Sequence, residues 1–487
     1  MADQLDQIRR QIERGTRVIS LSGLISPAAK ASVLARLRAV TDRTFVVVTG
    51  SNSEMESWIG DLSYYAGGGD GIIALPSFEI DPYSGASPHA ETQERRALAL
   101  WQMRRPDAGF IVMPPRSLIQ RTVSTAAISA MGCVLRRDSD LPPETLIETL
   151  FAGGYVREEP LFGPGQFSVR GGIIDIWSPD AGSPARIEFF GDTIDSIRTF
   201  DAETLLSIAQ IYEIAVVPMR EAAVTAQDLR DWAFFARERF ADDKYFRNLK
   251  DRTDFADEGE TFSGWEFLLP LVKPLDGTVF DHLPESVFVI DEPSMIEQSL
   301  GEWFEHLDAG FAAVSDNGDI GLPPQELFLT AEELRSRIGR ETRVELRSLG
   351  RAAAVTDDEF AVGESIAARP LFLFPSVEKA SEIELISRST RRFNGDIPAF
   401  VGQLTLASGT DRRAGGTEIV VQTAGMAERV REVLNEYNAP LPPDAIRVGR
   451  ISGGYEMPAF GTVTYTESDI FGEIAGEESA AAINRPT

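Results

Sequence analysis

The sequence predicts an α/β chain in which a parallel α/β domain is interrupted by an α+β insert and followed by a second, small α/β domain. Three observations carry this. A strand pattern over residues 18–25, a helical one carrying Val33, Leu34, Leu37 and Val40, and an apolar run over residues 44–48 make a βαβ unit. Around Cys133 the pattern changes to short strands and turns, which run to about residue 218. Beyond them an apolar run over residues 287–290 and a helix from Pro293 restore the first pattern, so the middle reads as an insertion. At 487 residues the chain is too long for one ordinary domain and suggests about three or four units.

In chain order, Ser26 and Pro27 supply an N-cap and a first-turn proline for the helix after the first strand. Residues 50–54 turn into another helix, with Ser51 and Glu54 as a capping box and Trp58, Ile59 and Leu62 facing inward. Strands over 71–75 and 109–113 complete the first segment, residues 1–131. The insert, residues 132–218, holds one helix over 143–153. Residues 219–350 resume the first domain, with charged helical sequence to about 257 bearing an intermittent stripe of Trp232, Phe235 and Phe240, then the strand over 287–290 and a helix over 293–307. Residues 351–475 form the small domain. It has a strand over 418–422, a helix with Val430, Val433, Leu434 and Tyr437 on one face, and strands over 445–448 and 461–466. Residues 476–487 lack apolar periodicity and are expected to be a disordered tail.

The insert is most readable over residues 163–207. Phe167 and Val169 alternate with Ser168 and Arg170, and Gly171-Gly172 lets the chain bend into the next strand. In 185–190, Ile187 and Phe189 share one face while Arg186, Glu188 and Phe190 share the other. Gly191-Asp192 suits a type II′ hairpin turn that returns Ile194 opposite Phe189. This leaves Arg186 and Phe190 on the solvent side with Arg170 nearby, the composition of a protein-binding hot spot.

Other chemistry is sparse. A net charge of −28 argues against electrostatic wrapping of nucleic acid. The single cysteine, Cys133, excludes an internal disulfide, and His89, His282 and His306 have no partner at metal-ligand spacing, so no metal site is expected. No residues are nominated as catalytic. The N-terminal segment is charged, without a signal-type apolar core, and no apolar run approaches the roughly 20 residues that span a bilayer, so a cytoplasmic protein without a membrane partner is expected. Residues 287–292, VFVIDE, have the form of a Walker B strand, but taken alone they fit better an ordinary buried strand whose acidic end, Glu292-Pro293, opens a helix. Gly50, Ser51, Asn52, Ser53 and Glu54 occupy a strand-to-helix loop of P-loop type but contain no lysine, which makes them a degenerate nucleotide loop.

The stretches LPSFEIDPYSGASPHAETQERRALALWQM, MPPRSLIQR, FSVRGGIIDIWSP, RIEFFGDTIDSIRTFD, LPLVKPLDGTVFDHLPE and YTESDIFGE follow one another along the chain. In that order they resemble the N-terminal, UvrB-homologous region of the bacterial transcription-repair coupling factors, the Mfd family. The resemblance implies a degenerate helicase-like domain over 1–131 and 219–350, a UvrA-interaction module over 132–218, and a small α/β domain over 351–475. It implies an adaptor that recruits the repair ATPase UvrA, with Arg170, Arg186 and Phe190 as contact residues and no cofactor in this segment. It also implies that RNA polymerase and DNA are engaged only through modules beyond Thr487, among them an ATP-driven translocase. Thr487 then ends either a fragment of a longer protein or a stand-alone form. UvrB itself has a true P-loop and a tyrosine-rich DNA hairpin, of which this chain keeps only Tyr83 in FEIDPYSGASPH. The rival expectation, from the VFVIDE strand, is an ATP-dependent DNA-remodelling enzyme, helicase-like or UvrB-like, active in its own right.

Overall fold

The computed structural model describes residues 2–348, 371, 373–374, 381–410, 416–439 and 441–472, so the expected tail lies outside the described residues. The chain opens α1 (Ala2–Glu13), β1 (Val18–Ser22), α2 (Pro27–Thr41), β2 (Thr44–Val48), α3 (Asn52–Ala66), β3 (Ile72–Ala74), α4 (Ala90–Gln102), β4 (Phe110–Met113), α5 (Pro115–Ile119), β5 (Arg121–Thr122) and α6 (Thr125–Ala130). The insert follows as β6 (Cys133–Arg136), α7 (Pro143–Ala152), β7 (Val156–Arg157), β8 (Gln166–Arg170), β9 (Ile173–Trp177), β10 (Ala185–Phe190), β11 (Thr193–Phe200), β12 (Ser207–Gln210) and β13 (Glu213–Val216). The chain then returns through α8 (Ala226–Arg239), α9 (Phe246–Glu258), β14 (Gly277–Thr278), α10 (Val279–His282), β15 (Ser286–Asp291), α11 (Pro293–Asp316), α12 (Pro324–Leu327), α13 (Ala331–Ile338), β16 (Arg343–Arg347) and β17 (Ser381–Glu384). The small domain comprises β18 (Arg388–Ser389), α14 (Ile397–Thr410), β19 (Thr417–Val421), α15 (Ala424–Glu436), β20 (Ile446–Val448), β21 (Tyr455–Met457), β22 (Thr462–Thr466) and α16 (Glu467–Phe471).

The apolar strands on either side of the insert join one seven-stranded sheet, ordered β17-β1-β16-β15-β2-β4-β3, in which every pair is parallel. Both faces are covered, so alternate residues of one strand enter different cores. Val46, Val48, Phe288 and Ile290 face α11, while Phe45, Val47, Val287 and Val289 face α2 and α3. The sheet draws β17 from beyond residue 350. Its interior strand β16, between β1 and β15, puts Val344 and Leu346 into one core and buries Arg343 and Glu345 on the opposite side. Charge is tolerated there because it is paired within the strand, Arg343 to Glu345 at 2.9 Å and Arg347 to Glu345 at 2.8 Å. A second buried cation anchors the insert: Arg96 stacks on Phe78, donates to the Pro76 carbonyl at 2.7 Å and pairs with Glu221, just past the end of the insert.

Some helical faces differ from the periodic reading. Val40 is 55% exposed because α2 ends at Thr41 and its last turn lies past the sheet. Tyr437 likewise lies beyond α15 and is exposed. In α8 the buried stripe is Leu229, Trp232, Ala233 and Ala236, continuing to Phe240, whereas Phe235 turns outward against Phe234. The Ser51 hydroxyl accepts from Glu54 N as expected, but Glu54 returns its carboxylate to Gly50 N rather than closing a capping box.

The small domain has a five-stranded sheet, ordered β18-β21-β22-β19-β20, and docks on α2 and α3 by placing Tyr455, Met457 and Phe460 in the core that contains Trp58 and Leu62. The contact is keyed by polar groups on α3. Tyr64 donates to Glu418 at 2.8 Å, and the Asp61 carboxylate accepts from Ser452 N at 2.6 Å and from its hydroxyl at 2.7 Å. Burial pushes the Asp61 carboxyl up to about 6 despite both hydrogen bonds. With a folded value above the unfolded one, the stability this group contributes is full below the ordinary carboxylate range and is lost as pH rises through about 6. Asp61→Asn removes that titration. Its melting temperature relative to the parent should therefore be more favourable at pH 8 than at pH 5, and an equal difference at both pH values would show that Asp61 is not desolvated.

Candidate protein-binding face of the insert

The insert sheet runs β12-β11-β10-β9-β8-β7. Phe167, Ile174, Ile176, Ile187, Ile194 and Ile197 pack with Leu146 and Leu150 of α7. Ile194 and Ile197 are three apart, which simple alternation forbids on one face. A bulge resolves it: Glu188 pairs Ser196 and Phe189 pairs Ile194, leaving Asp195 as the extra, exposed residue. Phe189 thus meets Ile194, and the intervening turn has a positive φ only at Gly191 (62°), as type II′ requires.

The opposite face carries all three nominated residues, in different states. Phe190 is 84% exposed. Arg170 is also exposed and pairs with Glu159 at 2.7 Å. Two turns, Gly171-Gly172 and Gly191-Asp192, lie side by side, because Phe189 N donates to Gly172 O at 2.8 Å; Arg170 and Phe190 therefore share one end of the sheet. Arg186 sits opposite Asp175, toward the sheet centre. It is not free, contrary to the reading of the sequence: its Nε and Nη2 donate to Asp175 at 2.7 and 2.8 Å, and its guanidinium lies over the Phe200 ring at 5.0 Å. The side chain is 21% exposed and that of Asp175 only 5%. Alternation placed Arg186 on the correct face, but the buried carboxylate across the strand holds it there. Glu188 in turn pairs with Arg198 and accepts from the Ser196 hydroxyl at 2.6 Å.

The nucleotide-type features also resolve differently. Gly50, Ser51, Asn52, Ser53 and Glu54 follow β2, and their polar groups are spent internally: Glu54 accepts from Gly50 N at 2.9 Å, and Asn52 exchanges hydrogen bonds with Ser77 at 3.0 and 2.9 Å. The lysine that meets the acidic strand end comes from another strand-loop-helix unit. Lys30, in the first turns of α2 after β1, donates to Asp291 at 2.6 Å and to Glu292 at 2.9 Å. Trp58 donates to the second Asp291 oxygen at 3.1 Å, and Ser348 N donates to Glu292 at 2.9 Å. Glu292 is the N-cap residue of α11 but its side chain makes no cap hydrogen bond, and it takes a positive φ of 51°. Burial pulls Lys30 toward neutrality, but both carboxylates outweigh it and hold the ammonium charged. No glycine-rich pattern precedes Lys30, and its sequence looks like an ordinary helix face. Tyr83 is turned inward, donating to Leu322 O at 2.8 Å. Among the described residues there is no His, Cys, Asp and Glu grouping suited to a metal, and no helix is long and apolar enough to cross a membrane.

Residues 133–221 match the family model of the UvrB interaction domain. The chain is similar to the transcription-repair-coupling factor of Myxococcus xanthus, with 30% identity over 346 residues, 68% of this chain and 29% of that protein. Those of Mycobacterium bovis (27% identical) and Staphylococcus aureus strain bovine RF122 (25%) match 92% of this chain each, over 37% and 38% of their own lengths. The chain thus spans well under half the length of each.

The geometry separates three substitutions. Phe189→Ala, opening the insert core, should cost about 2–3 kcal/mol. Phe190→Ala should melt like the parent. Arg186→Ala, which strands Asp175 in a buried site, should cost about 3 kcal/mol. Urea melts of the insert signal measure all three, and an unchanged midpoint for Arg186→Ala would mean that water reaches Asp175.

Proposed function

From the chain's membership of the transcription-repair-coupling factor family, as a region carrying its UvrB interaction domain, we propose that it is an adaptor recruiting the UvrA repair ATPase through the exposed end of the insert sheet. The observation that carries the reading is Phe190, a large aromatic exposed at the same sheet end as Arg170, on a short hairpin turn within the matched domain. An aromatic ring next to a guanidinium, held at little entropic cost, is the chemistry of an interface anchor. Arg186, ion-paired to Asp175, lies on the same face toward the sheet centre and joins the interface there.

On this reading the segment needs no cofactor and works in the cytoplasm. The same reading assigns contact with RNA polymerase, and ATP-driven movement on DNA, to parts of the relatives that the chain does not span. The rival, an ATP-dependent remodelling enzyme in its own right, draws on the acidic pair Asp291-Glu292 at a parallel strand end, a Walker B arrangement. The inward Tyr83 and the charge of −28 weigh against DNA binding by this segment.

Titration of UvrA against the chain tests the proposal. Phe190→Ala and Arg170→Ala should each weaken binding by roughly thirtyfold, with melting curves unchanged. Full binding by both variants would remove this end of the sheet from the interface. Calorimetry with Mg-ATP should give no saturable heat, and micromolar binding lost on Asp291→Asn would favour the enzyme.

A further inference from the structure

In open α/β sheets ligands sit outside the carboxyl ends of the strands, with anions on backbone N–H groups at a helix start and cations on acidic strand ends. At the ends of β1, β16 and β15 this chain fills both kinds of position with its own atoms. The β1–α2 loop is closed by the segment after β17: the Ser387 hydroxyl accepts from Ile25 N at 2.9 Å, and Ser387 N donates to Gly23 O at 2.8 Å. That segment runs so close that a Cβ on Gly23, whose φ is 86°, would lie 3.2 Å from Leu385 O. On the acidic side, Lys30 Nζ bridges Asp291 and Glu292 with its side chain only 5% exposed.

We propose that Lys30 is a tethered counter-cation that takes the place of a divalent ion between Asp291 and Glu292 and holds the strand-end crevice shut. Its ammonium neutralises one of two carboxylates drawn together at the sheet end. It comes from α2, so the same contact ties the helix after β1 to β15, while Ser348 N ties Glu292 to the end of β16. Lys30 is a positioning residue, and its absence should leave two like charges that repel unless another cation enters.

The test compares the full chain with Lys30→Met and with the triple variant Lys30→Met/Asp291→Asn/Glu292→Gln, by thermal melting with and without magnesium and by manganese binding in electron paramagnetic resonance. The parent should show no magnesium-dependent rise in melting temperature beyond that of the triple variant. Lys30→Met should melt lower, recover at least half the loss in magnesium, and bind manganese at least about tenfold more tightly than the parent. The triple variant should melt above Lys30→Met and lose the metal response. If Lys30→Met does not fold in metal-free buffer while the triple variant does, the charge account stands. Parent-like melting of Lys30→Met, a low melt without metal rescue, or failure of the triple variant to fold would overturn it.

Discussion

A charge inside a packed α/β protein is tolerable only where a partner is built in beside it, and this constraint organises the molecule. The chain has 47 lysines and arginines against 75 aspartates and glutamates, so cations are scarce. Several are committed to buried or half-buried pairs that join one element to another. Lys30 meets Asp291 and Glu292, Arg96 meets Glu221, and Arg186 meets Asp175. Each pair costs desolvation to form, and losing one partner of a buried pair costs roughly 3–5 kcal/mol. Such pairs fix arrangement more than they add net stability: Arg96 sets how the insert leaves the first domain, and Lys30 sets the ends of the central strands.

That organisation suits a platform. The parallel sheet is crossed by paired charges along β16 and closed at its strand ends by Lys30 and Ser387. The small domain is keyed to α3 through Asp61 and Tyr64 rather than hung on a free linker. Against this fixed body the insert presents an end with two short turns and an unburied phenylalanine, an economical way to offer a partner a preorganised anchor.

Much of the fold was legible because buried parallel strands are continuous apolar runs: residues 44–48 and 287–290 could hardly be anything else. The turn of the insert hairpin was legible, since Gly191-Asp192 fixes the register that sets Phe189 against Ile194, but the bulge at Asp195 was not. β16 was not. Its sequence RVELR alternates like a half-exposed strand, and only the self-paired Arg343, Glu345 and Arg347 let it lie in the sheet interior. Periodicity also places a side chain on a face without saying what shares that face. It could not reveal Asp175 beneath Arg186, or Lys30 reaching a strand end 261 positions away. Helix ends were misjudged for a related reason, as Val40 and Tyr437 keep the phase of the buried stripe after their helices have run past the core.

The central claim is that one fixed end of the insert sheet receives the partner while the strand-end crevice takes no part. Hydrogen–deuterium exchange on the chain, alone and saturated with UvrA, tests it most directly. The account predicts new protection confined to the turns at residues 170–173 and 189–193 and their neighbours, with unchanged exchange around Lys30 and residues 286–292. Protection centred on the β1–α2 loop and residues 286–292, with the two turns unaffected, would contradict it.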